Sequence, residues 1–439
     1  MKKKNWFIMG AALICSIFFI NFNVFAMSSE TEMLLKLLEK KGIVTTEEAA
    51  DLKQAVEASV EQERVTPGKE HVGKMNVADR LSNLEKQVSK TAVVNDFLER
   101  VDIHGLIEVE GYTASRGSGL YGNRDSSDIT LATVELEIDA RINEWVNGHL
   151  LFLYEDDDTE DFTVDEAIIT IGNTEKFPLY LSAGKMYVPF GNFESNMIQD
   201  PLTLELGETR ESAAQIGFEF EGFYGSVYTF NGDVSEGSNN SNKVDNYGAN
   251  IGFAFEQDQF SFDIGCDYIN DITDSDVLTD VLDDVSDNLV GGGRDEIDDY
   301  VSGLAAHLVM NVGPFQFIGE YVGAIDDYNA GEMNTRGKKA NPESWNFEAA
   351  FTQEILGRET TFALAYQGTN DCVFVDYTPG SFDDYLALPE DRYMGVIGIS
   401  ILENTMLKLE YMHDEDYSES DGGTNAQNDT VSAQVAVEF

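Results

Sequence analysis

The feature that most constrains this chain is a period-two alternation of apolar and charged residues that recurs from residue 101 onward. In 127–142 the even positions Ala132, Val134, Leu136, Ile138, Ala140 and Ile142 are apolar, and Glu135, Glu137, Asp139 and Arg141 between them are charged. Phe260, Phe262, Ile264, Cys266 and Tyr268 alternate likewise with Ser261, Asp263, Gly265 and Asp267, and 247–256 and 345–352 repeat the pattern. Successive side chains of a strand point to opposite faces, so each segment has one face for oil and one for water. About sixteen strands are expected, beginning near residues 101, 127, 145, 163, 178, 212, 223, 246, 259, 300, 314, 344, 359, 391, 405 and 430.

A soluble sandwich also alternates, and the links separate the two architectures. Links after even-numbered strands are tight, as at Asn143-Glu144, Asn173 to Lys176, Gln257-Asp258, Gly313-Pro314 and Glu403-Asn404. Links after odd-numbered strands are long, polar and acidic: 115–126, 189–211, 232–245, 271–299, 326–343, 371–390 and 414–429. Short turns on one rim and long loops on the other are the layout of an outer-membrane barrel. An even strand count lets the ring close without an edge, as lipid requires. Aromatic residues near strand ends (Tyr112, Trp145, Tyr154, Tyr187, Tyr268, Tyr300, Trp345, Tyr393, Tyr411) are expected as interfacial girdles. The final strand ends Val431, Ala433, Val435, Val437, Phe439 on one face, a pattern that resembles the C-terminal signal of outer-membrane proteins.

The first hundred residues are built differently. They hold 14 basic and 14 acidic side chains, whereas the remaining residues hold 14 and 66 and so carry the whole net charge of −52. That charge excludes nucleic acid as a partner, since phosphate binding needs clustered Lys and Arg. Lys2 to Lys4, the apolar run Trp6–Ile20, and Val24 with Ala26 read as a signal peptide over 1–26. Past residue 26 no apolar run is long enough for a spanning helix. A periplasmic helix pair is expected over 27–65 and a linker, opened by Thr66-Pro67-Gly68, over 66–74. Within 75–100, Val77, Leu81, Leu84, Val88, Thr91, Asn95 and Leu98 alternate four and three apart, a heptad seam that predicts a coiled coil and self-association. Arg80-Leu81-Ser82-Asn83-Leu84-Glu85 resembles a short pattern of three-stranded coiled coils, which implies a homotrimer. The barrel then occupies 101–439.

A ring of sixteen strands leaves a water-filled lumen. The inward alternates expected to line it are acidic: Glu108, Glu110, Glu135, Glu137, Asp263, Asp267 and Glu348. The third long loop, 189–211, is expected to fold inward as a constriction bearing Glu194, Asp200, Glu205, Glu208 and Glu211 against the single base Arg210; the alternative is that it covers the outer mouth. Carboxylates on a low-dielectric wall concentrate cations and oppose anions, which predicts a cation-preferring pore. The acidic stretches 155–161 and 271–299 lack the glycine placement of a calcium loop and are expected to be solvated. Five histidines without a Ser or Cys nucleophile in a recognisable context, and no H-E-x-x-H, give no catalytic centre; no cofactor or metal motif is present.

The runs GLIEVE (105–110), SDITLATVELEIDARIN (127–143), VDEAIITIGN (164–173), GKMYVPFGNFESNMIQDPLTLELGETRESA (184–213) and TFNGD (229–233) resemble the LbtU family of siderophore porins. The resemblance implies an outer-membrane barrel in contact with membrane lipid that takes up a ferric siderophore without a plug. Small cations are the solute that the charge pattern implies. A tether that links the cell wall to the envelope through the coiled coil is the alternative function.

Overall fold

The computed structural model describes residues 100–116, 126–155, 162–237, 243–282, 296–330, 332–333, 338–374 and 388–439. The expected signal peptide (1–26), helix pair (27–65), linker (66–74) and the heptad seam of 75–100 up to residue 99 lie outside these residues.

Eighteen strands are present among the described residues. The first seven are β1 (Val101–Arg116), β2 (Ser126–Asn143), β3 (Val146–Glu155), β4 (Thr163–Asn173), β5 (Phe177–Tyr187), β6 (Arg210–Phe220) and β7 (Phe223–Phe230). A two-residue strand β8 (Ser235–Glu236) precedes β9 (Asn246–Gln257) and β10 (Phe260–Ile269), and another, β11 (Glu296–Ile297), precedes β12 (Gly303–Val312) and β13 (Phe315–Ala324). The last five are β14 (Glu343–Ile355), β15 (Arg358–Asn370), β16 (Asp391–Leu402), β17 (Thr405–Glu415) and β18 (Gln427–Glu438). All but β8 and β11 close into one ring of sixteen strands, each antiparallel to its chain neighbours. The ring shuts where β18 pairs with β1, from Leu106↔Glu438 to Arg116↔Asn428. Gly105 and Phe439 then exchange both backbone hydrogen bonds, at 2.9 and 3.0 Å.

One rim carries tight turns. At Glu221-Gly222 and Leu356-Gly357 both residues have positive φ, the backbone twist that joins antiparallel strands directly. The other rim carries the long links. The outward row of each strand is apolar and exposed, for example Ile169, Ile171, Ile216, Ile251, Phe347 and Leu364. In water that belt would be a continuous hydrophobic patch; a bilayer covers it. The inward row is polar, and register partners share a face, so Asp267, Glu320, Glu348, Gln367 and Glu410 all point into the ring.

At the long-loop rim the links pack on one another. Phe190, Leu206, Ile272, Leu278, Val281 and Tyr328 form a buried apolar cluster, and β8 pairs with β11 in parallel to join the 231–245 and 270–302 links. Asp271 and Asp274, expected to be solvated, are buried here. Asp271 accepts hydrogen bonds from the backbone and hydroxyl of Thr273, and Asp274 accepts from the Val234 N–H and the Asn246 amide. Their acidity serves as caps inside a packed dome, because apolar residues interleaved with the aspartates draw the loops together. Three expected girdle residues also differ: Tyr112 stands level with buried Ser432 on the inner face, the Tyr187 hydroxyl bonds inner-wall Asp165, and Tyr300 packs against the apolar cluster of the links.

Candidate functional site: the lumen and its inward loop

The link between β5 and β6 leaves the wall at Tyr187 and returns at its register partner Arg210. Between them the chain crosses the lumen to the opposite wall. The N–H of Gly191 donates to Asp267 of β10 at 3.0 Å, and the N–H groups of Asn192 and Phe193 donate to Glu320 of β13 at 2.7 and 3.2 Å. The Asn196 N–H and the Ser195 hydroxyl donate to Glu348 of β14, each at 3.0 Å. Ile198 N–H donates to Glu410 of β17, and Leu202 N–H to Gln367 of β15 at 3.1 Å. Two wall cations complete the set: Lys408 donates to the Met197 carbonyl at 3.1 Å and Arg392 to the Asp200 carbonyl at 3.4 Å. A carboxylate that accepts from backbone N–H groups stabilises more than a neutral acceptor does, about 1.5–3 kcal/mol per bond.

Apolar contacts seat the same loop. A short helix α1 (Leu202–Gly207) buries Leu202 and Leu206 against β13, β14 and β15. Met197 packs on Ala350, Ala363, Ala365, Met394 and Val396 of the inner wall. These inward positions are small or flexible where a solvated lumen would carry polar groups, and that is the room the loop occupies. Gly191 makes the entry possible, since its φ of +89° disfavours any side chain and an added Cβ would lie 2.2 Å from the Phe193 ring.

The loop's two stems are clamped from β4. A register shift between Leu151 and Phe152 of β3 leaves Asp165 as an extra residue in β4, and it turns inward beside Glu166. Asp165 is fully buried; it binds the Arg210 guanidinium and accepts from the Tyr187 hydroxyl at 3.3 Å. Arg210 also lies over the Tyr187 ring, 5.9 Å from its centroid.

With the loop on the far wall, the open part of the lumen runs along β2 to β6. A cavity of about 780 Å³ there is lined by Arg141, Thr170, Tyr180, Ser182, Tyr187 and Gln215 among others. Glu135 and Glu137 of β2 border a second cavity, of about 360 Å³, with His104 and Glu438. Glu110 of β1 accepts from Gln434 at 2.7 Å, and Glu108 pairs with Thr133 across the β1–β2 seam. Asp263 accepts from the Tyr224 hydroxyl at 2.7 Å. Asp267 and Glu348 face inward but are covered by the loop. Of the loop acids, Glu194 accepts from Gln316 at 2.8 Å, Asp200 meets Arg392 through its carbonyl, and Glu205 lies within α1. Glu208 sits where the loop meets the 270–302 link, its carbonyl accepting from the Asp276 N–H at 2.9 Å. Burial and then the nearby Asp276 push the Glu208 carboxyl up to about 8. Glu211 lies at the start of β6 beside Arg210.

Sequence reasoning omitted Asp165, Glu320, Gln367, Arg392, Lys408 and Glu410. Glu320, Gln367 and Glu410 stand on the inward parity of their strands and were readable from the alternation. Their role was not, because a partner more than a hundred residues away leaves no local trace. It also assigned no metal ligands, yet the fold gathers Glu137, Asp139 and His149 with donor atoms within 4.8 Å of one another.

The fold is that of outer-membrane porins. The barrel superimposes on the outer membrane channel DcaP of Acinetobacter baumannii (TM-score 0.50, 13% identity, 77% of this chain and 97% of that one). It does so equally on Pseudomonas putida OprB (TM-score 0.52, 11% identity, 80% and 96%). In sequence the chain is similar to a Coxiella burnetii protein described as "UPF0422 protein", 29% identical over 351 residues that make up 78% of this chain and 70% of that one. No family model matches.

Proposed function

We propose that the protein is a passive channel of the bacterial outer membrane, that its 188–209 loop narrows the lumen, and that the pore prefers cations. The observation that carries this reading is the loop held on the far wall by Asp267, Glu320, Glu348 and Glu410, with Glu135 and Glu137 bordering open space on the other side and Glu108 and Glu110 facing inward beside them on β1. Fixed carboxylates raise the local cation concentration and repel anions. In planar bilayers the reversal potential under a potassium chloride gradient should take the sign of a cation-preferring pore, and an anion-preferring sign overturns the reading. Replacement of residues 192–206 by a short glycine–serine link that keeps the Tyr187 and Arg210 stems should raise single-channel conductance severalfold. Unchanged conductance would show that the loop does not set the width.

Uptake of a ferric siderophore is the second reading, favoured by the resemblance over 105–231. It expects a ferric chelate at micromolar concentration to block the potassium current. Assembly as a homotrimer is proposed from the heptad seam of 75–100, and the full chain in detergent should then have three times the mass of one chain. Removal of residues 28–99 separates a channel from a cell-wall tether: channel activity survives the deletion, whereas an envelope-linking role does not.

A further inference from the structure

We propose that the open wall of the lumen holds a transit site for a divalent transition-metal cation, made by Glu137, Asp139 and His149 and oriented by Glu166. The inference rests on the cation-pore reading and names the solute class for it. Glu137 and Asp139 are alternate residues of β2 on its inner face, and His149 of β3 lies directly across from Asp139. His149 Nδ1 is 2.9 Å from Asp139 Oδ1 and 3.7 Å from Glu137 Oε1. Three donors that share a cation at about 2.0–2.2 Å stand about 3–3.5 Å apart; the two separations from His149 bracket that value, and all three donor atoms lie within 4.8 Å of one another.

The other ring nitrogen, Nε2, is 3.2 Å from Glu166 Oε2. A carboxylate that takes the Nε2–H fixes the tautomer in which Nδ1 presents its lone pair, the arrangement that metal-ligating histidines use. Hydrogen bonding alone accounts poorly for the group. One Nδ1–H can serve only one of the two carboxylates aimed at it, and the three carboxylates outnumber the two imidazoles beside them, His149 and the His104 that faces Glu137 across the β1–β2 seam, so the group keeps a net negative charge. A divalent cation neutralises that charge and serves both acids. One imidazole nitrogen with two carboxylates suits zinc, cobalt or manganese better than calcium, which takes oxygen ligands only. Three protein ligands leave further coordination positions to water, so the ion can exchange onward through the pore. All four side chains retain solvent access, as a site on a conducting path requires.

The test uses the full chain refolded in detergent, with heat-modifiable gel mobility as the measure of a folded barrel. Cobalt(II) is the probe, followed by its visible d–d absorption and by calorimetry. The expected result is one saturable site per chain, displaced by zinc and not by a tenfold excess of calcium. His149→Ala and Asp139→Asn should each weaken it at least tenfold, and Glu359→Gln, at the tight-turn end of β15, should leave it unchanged. Absence of saturable binding, or binding that survives both His149→Ala and Asp139→Asn in a folded barrel, overturns the site. Reversal potentials of the same preparations keep the two readings apart. A cation-preferring pore without the cobalt signature removes the site alone, whereas an anion-preferring pore removes the reading beneath it.

Discussion

Gly191 and Glu320 show how single residues hold a segment of chain inside a water-filled barrel. An alanine at 191 would have to adopt a φ of +89° and would place its Cβ against the Phe193 ring. The strain, about 1–3 kcal/mol, falls where the loop first bends toward the far wall. Gly191→Ala should therefore leave barrel folding intact by heat-modifiable mobility while raising mean conductance or its noise in single-channel records. Glu320 accepts from Asn192 and Phe193 and also from the Thr203 hydroxyl, at 2.7 Å in the last case. Glu320→Ala removes an acceptor shared by three donors, and each donor left buried costs about 1–3 kcal/mol. Its conductance should shift in the same direction as that of Gly191→Ala and by more. A conductance equal to wild type in both variants would remove these contacts from the control of pore width.

The element that most shapes the lumen is the inward loop, and its geometry depends on a bulge in β4, the strand beside its first stem. Asp165 reaches both stems only because β4 carries one residue more than β3 at that point. Asp165→Ala would leave Arg210 with water in place of its buried acid partner. Because Arg210 is itself partly solvated, the loss should be about 1–3 kcal/mol, at the lower end for a broken buried pair. The expected readout is faster hydrogen exchange over 188–209 with unchanged exchange in the barrel strands. Asp165→Asn should fall between the two, since it keeps the Tyr187 hydrogen bond and loses the charge. Arg210 therefore acts at the loop root as a member of a clamp, whereas in the sequence it appears as the lone base among five acids.

At the scale of the molecule, the acids buried in the dome make the packed loops respond to pH. Burial, followed by their mutual repulsion, raises the Asp274 carboxyl, and burial raises Asp271; burial likewise pushes Glu208 at the adjoining link up to about 8. A carboxyl whose folded value lies above its unfolded one binds more protons when folded, so its contribution is fully present below the ordinary carboxylate range and is lost as pH rises through the folded value. Between about pH 4 and 8 the dome should thus weaken as pH rises. Proteolysis of the 270–302 link, corrected for the protease's own pH dependence, should be several times faster at pH 8.5 than at pH 5.5. The reverse order would show that these acids are ionised at no cost in the packed loops.

Much of this architecture could be read in the residues themselves. Alternation in 127–142 or 260–268 states which side chains meet lipid, because a strand has only two faces, and the contrast of tight and long links states which rim is which. Closure follows as well, since a polar edge has no partner in hydrocarbon. The path of the inward loop is a different kind of fact. Nothing near Gly191 names Asp267, and nothing near Ile198 names Glu410, because each pair is joined by the curvature of the whole ring. The alanines at 350, 363 and 365 hint that something fills the lumen but not which segment does so. Local periodicity fixed the strands, their faces and the ring; only the folded ring decided which inward carboxylates stay on the open path and which are taken up holding the loop.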